Sequence, residues 1–399
     1  MNRLNALATN LLNILLLLLG TCAIASSTPT DRGFQAQLGA ITAENLDELK
    51  NNWNINVIRV PIGDDLRMDG LEGADYDVMM ENLYTTLDAR LPLLAERGIK
   101  LVFCLYSPPG GFYTREAPSH YAMFSRADLQ AHFIRTWQAI ATRYGSNPAV
   151  AAFDLANEPA LRNSLLGSGV KDWSGLVVDT VAAIRAIAPT KPIIIRTIYG
   201  DPTKLNRLPI LDDANIQYSY NSYLYHNYQH SGVYTPALSA SRPSDGAILK
   251  KTRTILAPFF FKVYKAAQGK KVVNKLYPPK IVVGEAAVSA CAREPGSFLN
   301  GLLTALETDE SARGAALRDR TLNRWKKARR RNRRLPKPVF GANDFKLDVQ
   351  HIGYAVHAYA EFYAWDPRYS CNAEGKFYLS PTETEQTIVL KGFFSRNAR

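Results

Sequence analysis

The sequence of 399 residues predicts an α/β protein, a single (β/α)8 TIM barrel with loop insertions. Short apolar runs with strand character alternate with longer segments of helical periodicity, and about eight such repeats fit along the chain. One strand per repeat requires parallel strands joined by right-handed crossovers. Neither a G-x-G-x-x-G sequence nor a P-loop occurs, which argues against a nucleotide-binding open sheet.

The predicted strands are short apolar runs bounded by turn residues. They lie at 57–61, 99–105, 149–156, 192–197, 216–219, 281–283 and 352–359. A buried parallel strand is apolar on both faces, so continuous runs of this kind favour a parallel sheet.

The predicted helices carry apolar residues at helical spacing. They lie at 43–53, 77–97, 128–144, 173–188, 247–268, in a region that ends at 306, and at 380–394. Ser125, three residues before Asp128, predicts a capped start for the third helix, and Gly145 predicts its end. Pro258 is expected to bend or break the fifth helix. Ser380 to Glu383 form a capping box that would open the last helix.

Residues 1–25 have the pattern of a secretory signal peptide, which leaves the barrel domain at 26–399. Arg3 provides a positive start, an apolar core runs from Leu11 to Leu19, and Ala23–Ala25 offers a cleavage site. The apolar stretch is too short for a comfortable membrane span. We therefore expect a secreted or periplasmic protein. Because Leu19–Cys22 also resembles a lipoprotein box, a lipid anchor at Cys22 is the alternative.

Most of the net charge of +12 comes from one basic segment, Arg324–Lys337, which contains nine lysines and arginines and no acidic residue. Like charges repel and resist packing, so one interpretation is a solvated insertion. The other is contact with an anionic polymer or a membrane surface. Nucleic acid is not expected as a partner of a secreted protein. We expect a monomer.

The four cysteines predict one disulfide and no metal site. Cys104 lies inside an apolar run and is expected to be a buried thiol. Cys291 and Cys371 lie in loop-like sequence, in loops after neighbouring strands, and are expected to be close enough to form a disulfide. The sequence has no C-x-x-C and no paired His/Cys spacing typical of zinc, so we expect no metal and no other cofactor.

Two apolar runs end abruptly in a carboxylate, and they carry the functional prediction. Glu158 follows the run that ends in Asn157, and Glu285 ends a second run 285 − 158 = 127 residues later. The C-terminal ends of barrel strands are where active sites form. Either glutamate alone could simply end a strand in solvent. Two of them predict a facing carboxylate pair, the apparatus of glycoside hydrolysis. We expect the two carboxyl groups to be about 5–5.5 Å apart, the separation found in retaining enzymes.

The motifs around these glutamates resemble glycoside hydrolase family 5, the cellulase and β-mannanase group of retaining barrel enzymes. The resemblance extends from about Gly33 to the last helix. It rests on the segments Asn54–Pro61, Tyr144–Pro159 and Val282–Glu285, and on His357–Tyr359 near strand eight. Asn-Glu-Pro at this distance from Gly-Glu is fairly specific, whereas either motif alone would be weak.

The resemblance implies a role for five residues. Glu158 matches the acid/base and Glu285 the nucleophile. Asn157 matches the residue that contacts the 2-hydroxyl of the sugar, and Arg59 matches the arginine near the nucleophile. Tyr223 matches the tyrosine that hydrogen-bonds the nucleophile. For Arg59, Asn157 and Tyr223 the alternative interpretation is a polar residue that caps a strand end.

Three positions depart from the family pattern and are still expected to bind substrate. Tyr106 stands where the family usually has histidine after strand three. Asn221 replaces the histidine of the His-x-Tyr motif, and Tyr354 is expected to take the place of the strand-eight tryptophan. The segment around Asn221 is rich in rings that can stack on sugars and donate hydrogen bonds from their tips. These rings are Tyr220, Tyr223, Tyr225, His226, Tyr228 and His230.

The sequence therefore predicts a secreted retaining β-glycosidase of the endo-glucanase or cellulase type, acting on a polysaccharide or oligosaccharide through a two-glutamate double displacement. A barrel does not guarantee turnover, so the rival hypothesis is a catalytically impaired barrel that binds carbohydrate. The three departures favour the rival, and the intact carboxylate pair favours the enzyme. An enzyme acting on nucleic acid is a distant third, because only the basic segment supports it.

Overall fold

Eight parallel strands close into a barrel in the structure, a computed structural model. It describes residues 31–63, 68–238, 240–268, 280–307, 322–323, 326–327, 329–330, 353–356, 359 and 364–397. Each strand pairs with the next along the chain, and β8 pairs with β1 to close the barrel. The strands are β1 Arg32–Gln35, β2 Val57–Ile62, β3 Lys100–Leu105, β4 Val150–Asp154, β5 Ile193–Arg196, β6 Ile216–Asn221, β7 Lys280–Ala286 and β8 Gly353–Val356. The predicted fold class is confirmed.

Helices cover the outside of the barrel between the strands. They are α1 Ala43–Asn51, α2 Gly73–Glu96, α3 Ala127–Tyr144, α4 Trp173–Arg185, the short α5 His226–Gln229, α6 Asp245–Gln268, α7 Pro295–Glu307 and α8 Glu385–Phe394. Between β5 and β6 the chain forms a 3₁₀ helix, Pro202–Arg207, in place of an α-helix.

The hydrophobic core lies between the helices and the outer face of the barrel. Helix α2 shows why the sequence folds this way, because its buried residues recur every three or four positions and form one apolar stripe. They are Tyr76, Met80, Tyr84, Leu87, Leu91 and Leu94.

The predicted starts of two helices are wrong, and hydrogen bonds explain both. Ser125 does not cap α3: its hydroxyl contacts His120 Nε2 at 3.0 Å and donates to the carbonyl of Leu165 at 3.1 Å. Ser380 accepts a hydrogen bond from the nearby N–H of Thr382 at 3.4 Å, and α8 begins later. Thr384 caps α8, accepting the N–H of Thr387 at 3.1 Å.

Pro258 does not break α6, which runs without interruption from Asp245 to Gln268. The predicted end of α3 is confirmed, since Gly145 is its C-cap.

A disulfide joins the loops that follow β7 and β8. Cys291 and Cys371 are bonded, with their Cα atoms 5.0 Å apart, so the predicted pairing is confirmed. Cys371 belongs to a small antiparallel hairpin, Tyr369–Cys371 with Phe377–Leu379. Cys104 is a buried free thiol, as predicted. Its surroundings are more polar than the sequence suggested, because a guanidinium contacts it.

The signal peptide and the possible lipid anchor at Cys22 lie outside the described residues, as does most of the basic segment. The described part of that segment is helical and exposed at Lys326, Lys327, Arg329 and Arg330. Across the residues that the structure describes, no helix combines the length and apolarity needed to cross a membrane.

Candidate active site

A cavity of about 510 Å³ opens at the C-terminal ends of the strands and contains both predicted carboxylates. Its walls come from several strands and the loops after them. The lining residues are Gln35, Tyr106, Asn157, Glu158, Tyr199, Gly200, Asp201, Pro202, Asn221, Tyr223, His226, His230, Tyr234, Glu285 and Trp365. Six of the eight predicted site residues therefore line one cavity, and Arg59 lies in its floor, where it contacts Asn157 and Glu285.

The backbone at Glu158 is fixed in an unusual conformation. Its φ is +43°, in the left-handed region that residues other than glycine rarely adopt. The preceding Asn157 is held on both sides: its N–H donates to the carbonyl of Leu105 at 2.9 Å, and its own carbonyl accepts the hydroxyl of Tyr121 at 3.0 Å. These contacts hold the chain in the turn that directs Glu158 into the cavity.

A bulge in β7 brings Glu285 into the cavity. Val282 and Gly284 both line a second cavity, of about 320 Å³, inside the barrel. Side chains alternate along a strand, so a regular β7 would turn Glu285 outward. The register shifts at this point: Tyr220 pairs with Val283, and Asn221 pairs with Glu285. The extra residue redirects the carboxylate inward, beside Asn221.

Two buried arginines and two buried carboxylates form an ion cluster under the cavity. Arg59 contacts Asp154 through Nε at 2.9 Å and Glu285 through Nη1 at 3.0 Å. Arg196 contacts the same Asp154 through Nη2 at 2.7 Å and lies 3.9 Å from Glu285. Burial acts to raise the pKa of Asp154, but Arg196 and Arg59 outweigh it and hold it below its usual value. The four charges cancel, which makes their burial tolerable.

Arg59 has further partners that fix its orientation. Its Nη2 donates to the side-chain oxygen of Asn157 at 2.7 Å and to the sulfur of Cys104 at 2.9 Å. It also donates to the side chain of Gln35. Burial raises the pKa of Cys104, so this residue remains a neutral thiol beside the guanidinium.

Two tryptophans on the outer helices anchor the strand ends that carry the site. Trp137 of α3 donates from Nε1 to the carbonyl of Leu155 at 3.1 Å, directly after β4. Trp173 of α4 donates to the carbonyl of Arg196 at 2.8 Å, at the end of β5. Both rings are buried. The helix layer thus fixes the backbone from which Asp154 and Arg196 project.

Asn221 links Glu158 to the ion cluster. Asn221 Nδ2 donates to Glu158 Oε1 at 2.5 Å, and Asn221 Oδ1 accepts a hydrogen bond from Arg196 Nη1. Burial and the charge of Glu285 raise the pKa of Glu158 to about 7, against smaller opposing effects of the Asn221 hydrogen bond and the two arginines. The two glutamates therefore have opposite environments: Glu285 is paired with a cation, and Glu158 favours its protonated form.

Tyr223 and Tyr106 both line the cavity, as predicted from their positions. Burial, followed by the negative charges of Glu285 and Glu158, raises the pKa of Tyr223 well above its usual value, so its hydroxyl remains protonated. The backbone of Tyr354 lies in β8, but its side chain falls outside the described part of the structure.

Sequence reasoning missed several residues of the site. Asp154 and Arg196 lie inside the predicted strands 149–156 and 192–197, close to their C-terminal ends, and the sequence predicts them only as strand residues. The available signal was a charge near the C-terminal end of a barrel strand. Trp365 lies in the loop after β8 and lines the cavity, which places a tryptophan near strand eight, although at another position than Tyr354.

An aromatic wall, formed by His226, His230, Tyr234 and Trp365, borders one side of the cavity. The rings of His226 and His230 stack with centroids 4.1 Å apart, and Tyr234 lies nearly parallel to His230 at 5.2 Å. Trp365 meets His230 edge-on at 5.5 Å. Among the described residues, no group of three or more His, Cys, Asp or Glu side chains is arranged to hold a metal ion.

Comparison with known proteins finds relatives named as a cellodextrinase and an endoglucanase. The chain is 25% identical to cellodextrinase A of Ruminococcus flavefaciens over 46% of its length and 52% of the relative's. It is 28% identical to endoglucanase C of Acetivibrio thermocellus over 34% of its length and 38% of the relative's. The chain thus spans about half or less of these curated relatives. A solved endoglucanase shares the fold, with a TM-score of 0.55 at 14% identity, over 90% of this chain and 97% of that one.

A family model covers more than half of the chain. The Cellulase model, glycosyl hydrolase family 5, matches residues 24–273. This match includes Arg59, Glu158 and Asn221 but ends before Glu285, whose place in the site rests on the geometry described above. With the closed barrel and the carboxylates at its mouth, this match means that the chain belongs to glycosyl hydrolase family 5.

Proposed function

We propose that this protein is a retaining β-glycosidase that hydrolyses a cellulose-like β-glucan. The observation that carries the proposal is the pair of glutamates in one cavity with opposite environments. Glu285 is 3.0 Å from the Arg59 guanidinium, whereas burial and Glu285 itself raise the pKa of Glu158 to about 7. Two carboxyl groups whose environments separate their pKa values are suited to be the ionised and the protonated partner of one reaction.

In the first step a carboxylate oxygen of Glu285 attacks the anomeric carbon. The bond from that carbon to the glycosidic oxygen breaks, and its electron pair stays with the oxygen, which takes the proton of Glu158. The products are a glycosyl ester on Glu285, an ionised Glu158 and a free leaving sugar. The fixed cation of Arg59 keeps Glu285 ionised before attack, because an adjacent opposite charge favours the charged form.

In the second step Glu158 acts as the base. It removes a proton from a water molecule whose oxygen attacks the same anomeric carbon, and the ester bond to Glu285 breaks. Two inversions give net retention of the β configuration. We assign Asn157 to bind the sugar 2-hydroxyl and Tyr223 to donate a hydrogen bond to Glu285; both line the cavity, which supports these roles.

The aromatic wall supports a polymeric substrate. Sugar rings present apolar C–H faces that stack on aromatic rings, and the polar ring tips supply hydrogen bonds. Tyr234 is 68% exposed, so its ring is available to a sugar beyond the carboxylates. Relatives described as an endoglucanase and a cellodextrinase point to β-linked glucose, and we favour endo action on the polymer. Tyr106 and Asn221, which depart from the family pattern, line the same cavity, and we propose that they adjust its substrate preference.

The competing function is carbohydrate binding without turnover. A panel of soluble cellulose, mannan and an acidic bacterial exopolysaccharide distinguishes the two, with reducing ends measured alongside binding. We expect new reducing ends from the glucan, and proton NMR of the first product should show the β anomer. Binding without any new reducing ends would favour the impaired barrel, and an α anomer would contradict retention.

We also propose that the protein is secreted or periplasmic and acts as a monomer, with lipid anchoring at Cys22 as the alternative. The signal-like sequence of residues 1–25 supports export. The basic segment Arg324–Lys337 would then meet anionic polymer or membrane surface rather than nucleic acid. Its described residues are exposed, which suits such contact.

A further inference from the structure

Arg196 does not contact Glu158, yet it determines what Glu158 contacts. We propose that Arg196 is a positioning residue that fixes the side-chain amide of Asn221 and thereby keeps the catalytic proton on the oxygen of Glu158 that meets the leaving group. This inference rests on the proposed glycosidase function and adds to it a residue of β5.

The orientation of the Asn221 amide follows from the chemistry of arginine. A guanidinium has five N–H donors and no acceptor. The atom of Asn221 that meets Arg196 must therefore be its oxygen, and the structure has Arg196 Nη1 donating to Oδ1. The NH₂ group is then the only part of the amide that can reach Glu158, and Nδ2 lies 2.5 Å from Glu158 Oε1.

An NH₂ donor on Oε1 decides which oxygen of the acid is protonated. Oε1 must act as an acceptor, so in the neutral acid it is the carbonyl oxygen and the proton is on Oε2. Gly200 closes the same side, because a Cβ built there would lie 2.5 Å from Glu158 Oε1 and 2.7 Å from Asn221 Nδ2. With Oε1 occupied and covered, Oε2 is the oxygen that gives its proton to the glycosidic oxygen as the C–O bond breaks.

Without Arg196, nothing fixes which atom of the Asn221 amide, Nδ2 or Oδ1, faces Glu158. An Asn221 turned by 180° about its last torsion would present Oδ1 to Glu158. That oxygen accepts the acid proton, so the proton would be held at Oε1, away from the leaving group. Glu285 would keep its closer cation, Arg59, at 3.0 Å and lose only the longer 3.9 Å contact with Arg196. The loss should therefore fall mainly on proton donation.

Several contacts hold Arg196 for this role. Asp154 accepts from Nη2 at 2.7 Å and from Nε at 3.4 Å, which orients the guanidinium plane. Trp173 fixes the backbone carbonyl of Arg196 at 2.8 Å. The side chain is fully buried. Removing Arg196 leaves Asp154 and Glu285 sharing Arg59, one positive charge short, so a variant that keeps all four charges is also needed.

The test compares two aryl β-cellobiosides that differ in their need for an acid. Dinitrophenolate leaves without protonation, whereas phenolate needs the proton of Glu158. For Arg196→Met we expect kcat/KM to fall by about 10²-fold on the phenyl glycoside, within the range of general-acid contributions, and by no more than about threefold on the dinitrophenyl glycoside. Asn221→Ala keeps the Arg196–Asp154 pair and removes the NH₂ donor without supplying an acceptor, so it should lower the phenyl rate less than Arg196→Met does and leave the dinitrophenyl rate nearly unchanged.

Two further variants separate positioning from structure. Arg185→Met removes another ion-paired arginine, which contacts Asp213 at 2.5 Å outside the cavity, and should leave the ratio of the two rates unchanged. Arg196→Lys keeps a donor and a cation and should recover part of the phenyl activity. The double variant Arg196→Met/Asn221→Ala should be no worse on the phenyl glycoside than the poorer single variant, because both act through one hydrogen bond.

The outcomes are distinct. Equal losses on both glycosides in Arg196→Met and in Asn221→Ala would overturn the positioning role, as would multiplicative losses in the double variant. If Arg196→Met does not fold, Asn221→Ala alone decides between the two results. A wild-type protein that cleaves neither glycoside would instead refute the proposed function, and the inference about Arg196 with it.

Discussion

Gly284 lies directly against the guanidinium of Arg196. A Cβ atom built on Gly284 would be 1.8 Å from Nη2 and 2.4 Å from Cζ of that side chain. The glycine of the Val-Val-Gly-Glu segment is therefore required by a residue on another strand. It leaves room for a buried arginine, and the bulge at the same point turns the next residue, Glu285, into the cavity.

Replacing Gly284 by alanine should damage both stability and catalysis. The new methyl group would displace Arg196, and overpacking of this kind costs about 1–3 kcal/mol. We expect a lower unfolding temperature and a marked fall in kcat. Gly392→Ala in α8 is the matched control, since nothing lies within 4 Å of a Cβ built there. Alanine is also the better helix former, so the control should be neutral or slightly stabilising. Full activity in Gly284→Ala would show that the position of Arg196 does not matter.

Removing either carboxylate should abolish turnover without unfolding the protein. Glu285→Gln removes the nucleophile, and Glu158→Gln removes a group used in both chemical steps, so we expect kcat/KM on cellulose oligomers to fall by several orders of magnitude. Circular dichroism should show that both variants fold. Glu285→Gln leaves one buried cation uncompensated and should unfold at a somewhat lower temperature. Normal activity in Glu285→Gln would contradict its assignment as nucleophile.

Azide should rescue a variant that lacks the acid/base. In Glu158→Ala, the small anion can enter the space left by the carboxyl group and attack the glycosyl ester on Glu285. With a dinitrophenyl glycoside, which needs no acid, the expected product is the β-glycosyl azide. Product NMR gives the configuration. An α-azide would mean that no glycosyl ester forms on Glu285.

Activity should fall as the pH rises through about 7. Burial and Glu285 raise the pKa of Glu158 to about 7, and only its protonated form can donate to the leaving oxygen. The profile of kcat/KM against pH on the phenyl glycoside should therefore lose activity on its alkaline side near that value. Because the hydrogen bond from Asn221 lowers this pKa, Asn221→Ala should move the alkaline limb to higher pH. A limb near the ordinary pKa of a glutamate, or a shift to lower pH, would contradict this picture.

Much of the fold could be predicted because a parallel barrel leaves a strong pattern. Its strands are apolar on both faces and end in polar residues, so the runs before Glu158 and Glu285 were visible in the sequence. Helix starts were harder. Ser125 and Ser380 have the residue types of caps, but tertiary partners and local turns use their hydroxyl groups, as the contacts of Ser125 with His120 and Leu165 illustrate.

Sequence analysis found the site residues that belong to a local motif and missed those that act through a contact with another residue. Glu158 and Glu285 each follow an apolar run and belong to a short motif, Asn-Glu-Pro and Gly-Glu. Arg196 has no motif, and its importance depends on contacts with Asp154 and Asn221, which lie on β4 and β6. Local sequence patterns do not encode such long-range pairs. The bulge at Gly284 could not be predicted from the sequence either, since a glycine in a strand has several explanations.

The disulfide should stabilise the loops on the aromatic side of the cavity. It joins residues 80 apart. Disulfides typically contribute about 2–4 kcal/mol, and more for longer loops. The segment around Cys291 also holds the loop after β6: the N–H of Ser289 donates to the carbonyl of Gln229 at 2.8 Å, and that of Leu238 donates to Cys291 at 3.0 Å. The double variant Cys291→Ser/Cys371→Ser should therefore unfold at lower temperature and show a higher KM for oligosaccharides.

A reducing agent provides the control for the disulfide. It should lower the unfolding temperature of the wild-type protein towards that of the double variant and leave the double variant unchanged, because the remaining described cysteine, Cys104, is a free thiol. An unchanged KM in the double variant would mean that the loop after β6 keeps its shape without the cross-link.

The basic segment should control binding to anionic polymers and not the chemistry. Exposed charges are screened within about 10 Å at 0.1 M salt, so retention of the wild-type protein on an anionic polysaccharide matrix should weaken steeply as salt rises. Replacing Arg329, Arg330, Arg331, Arg333 and Arg334 by Gln should abolish this retention. Hydrolysis of a small neutral aryl glycoside should remain nearly unchanged, because such a substrate occupies only the barrel mouth.

A scattered set of five exposed cations is the matched control for charge. Replacing these by Gln lowers the net charge equally without touching the segment, and should weaken retention much less; they are Arg135, Lys171, Lys250, Lys376 and Arg396. If both variants lose retention equally, net charge and not the segment determines binding. If the segment variant keeps full retention, the segment is a solvated insertion. If it folds but loses activity on the small glycoside, the segment belongs to the active site, and binding and chemistry are not separate in this protein.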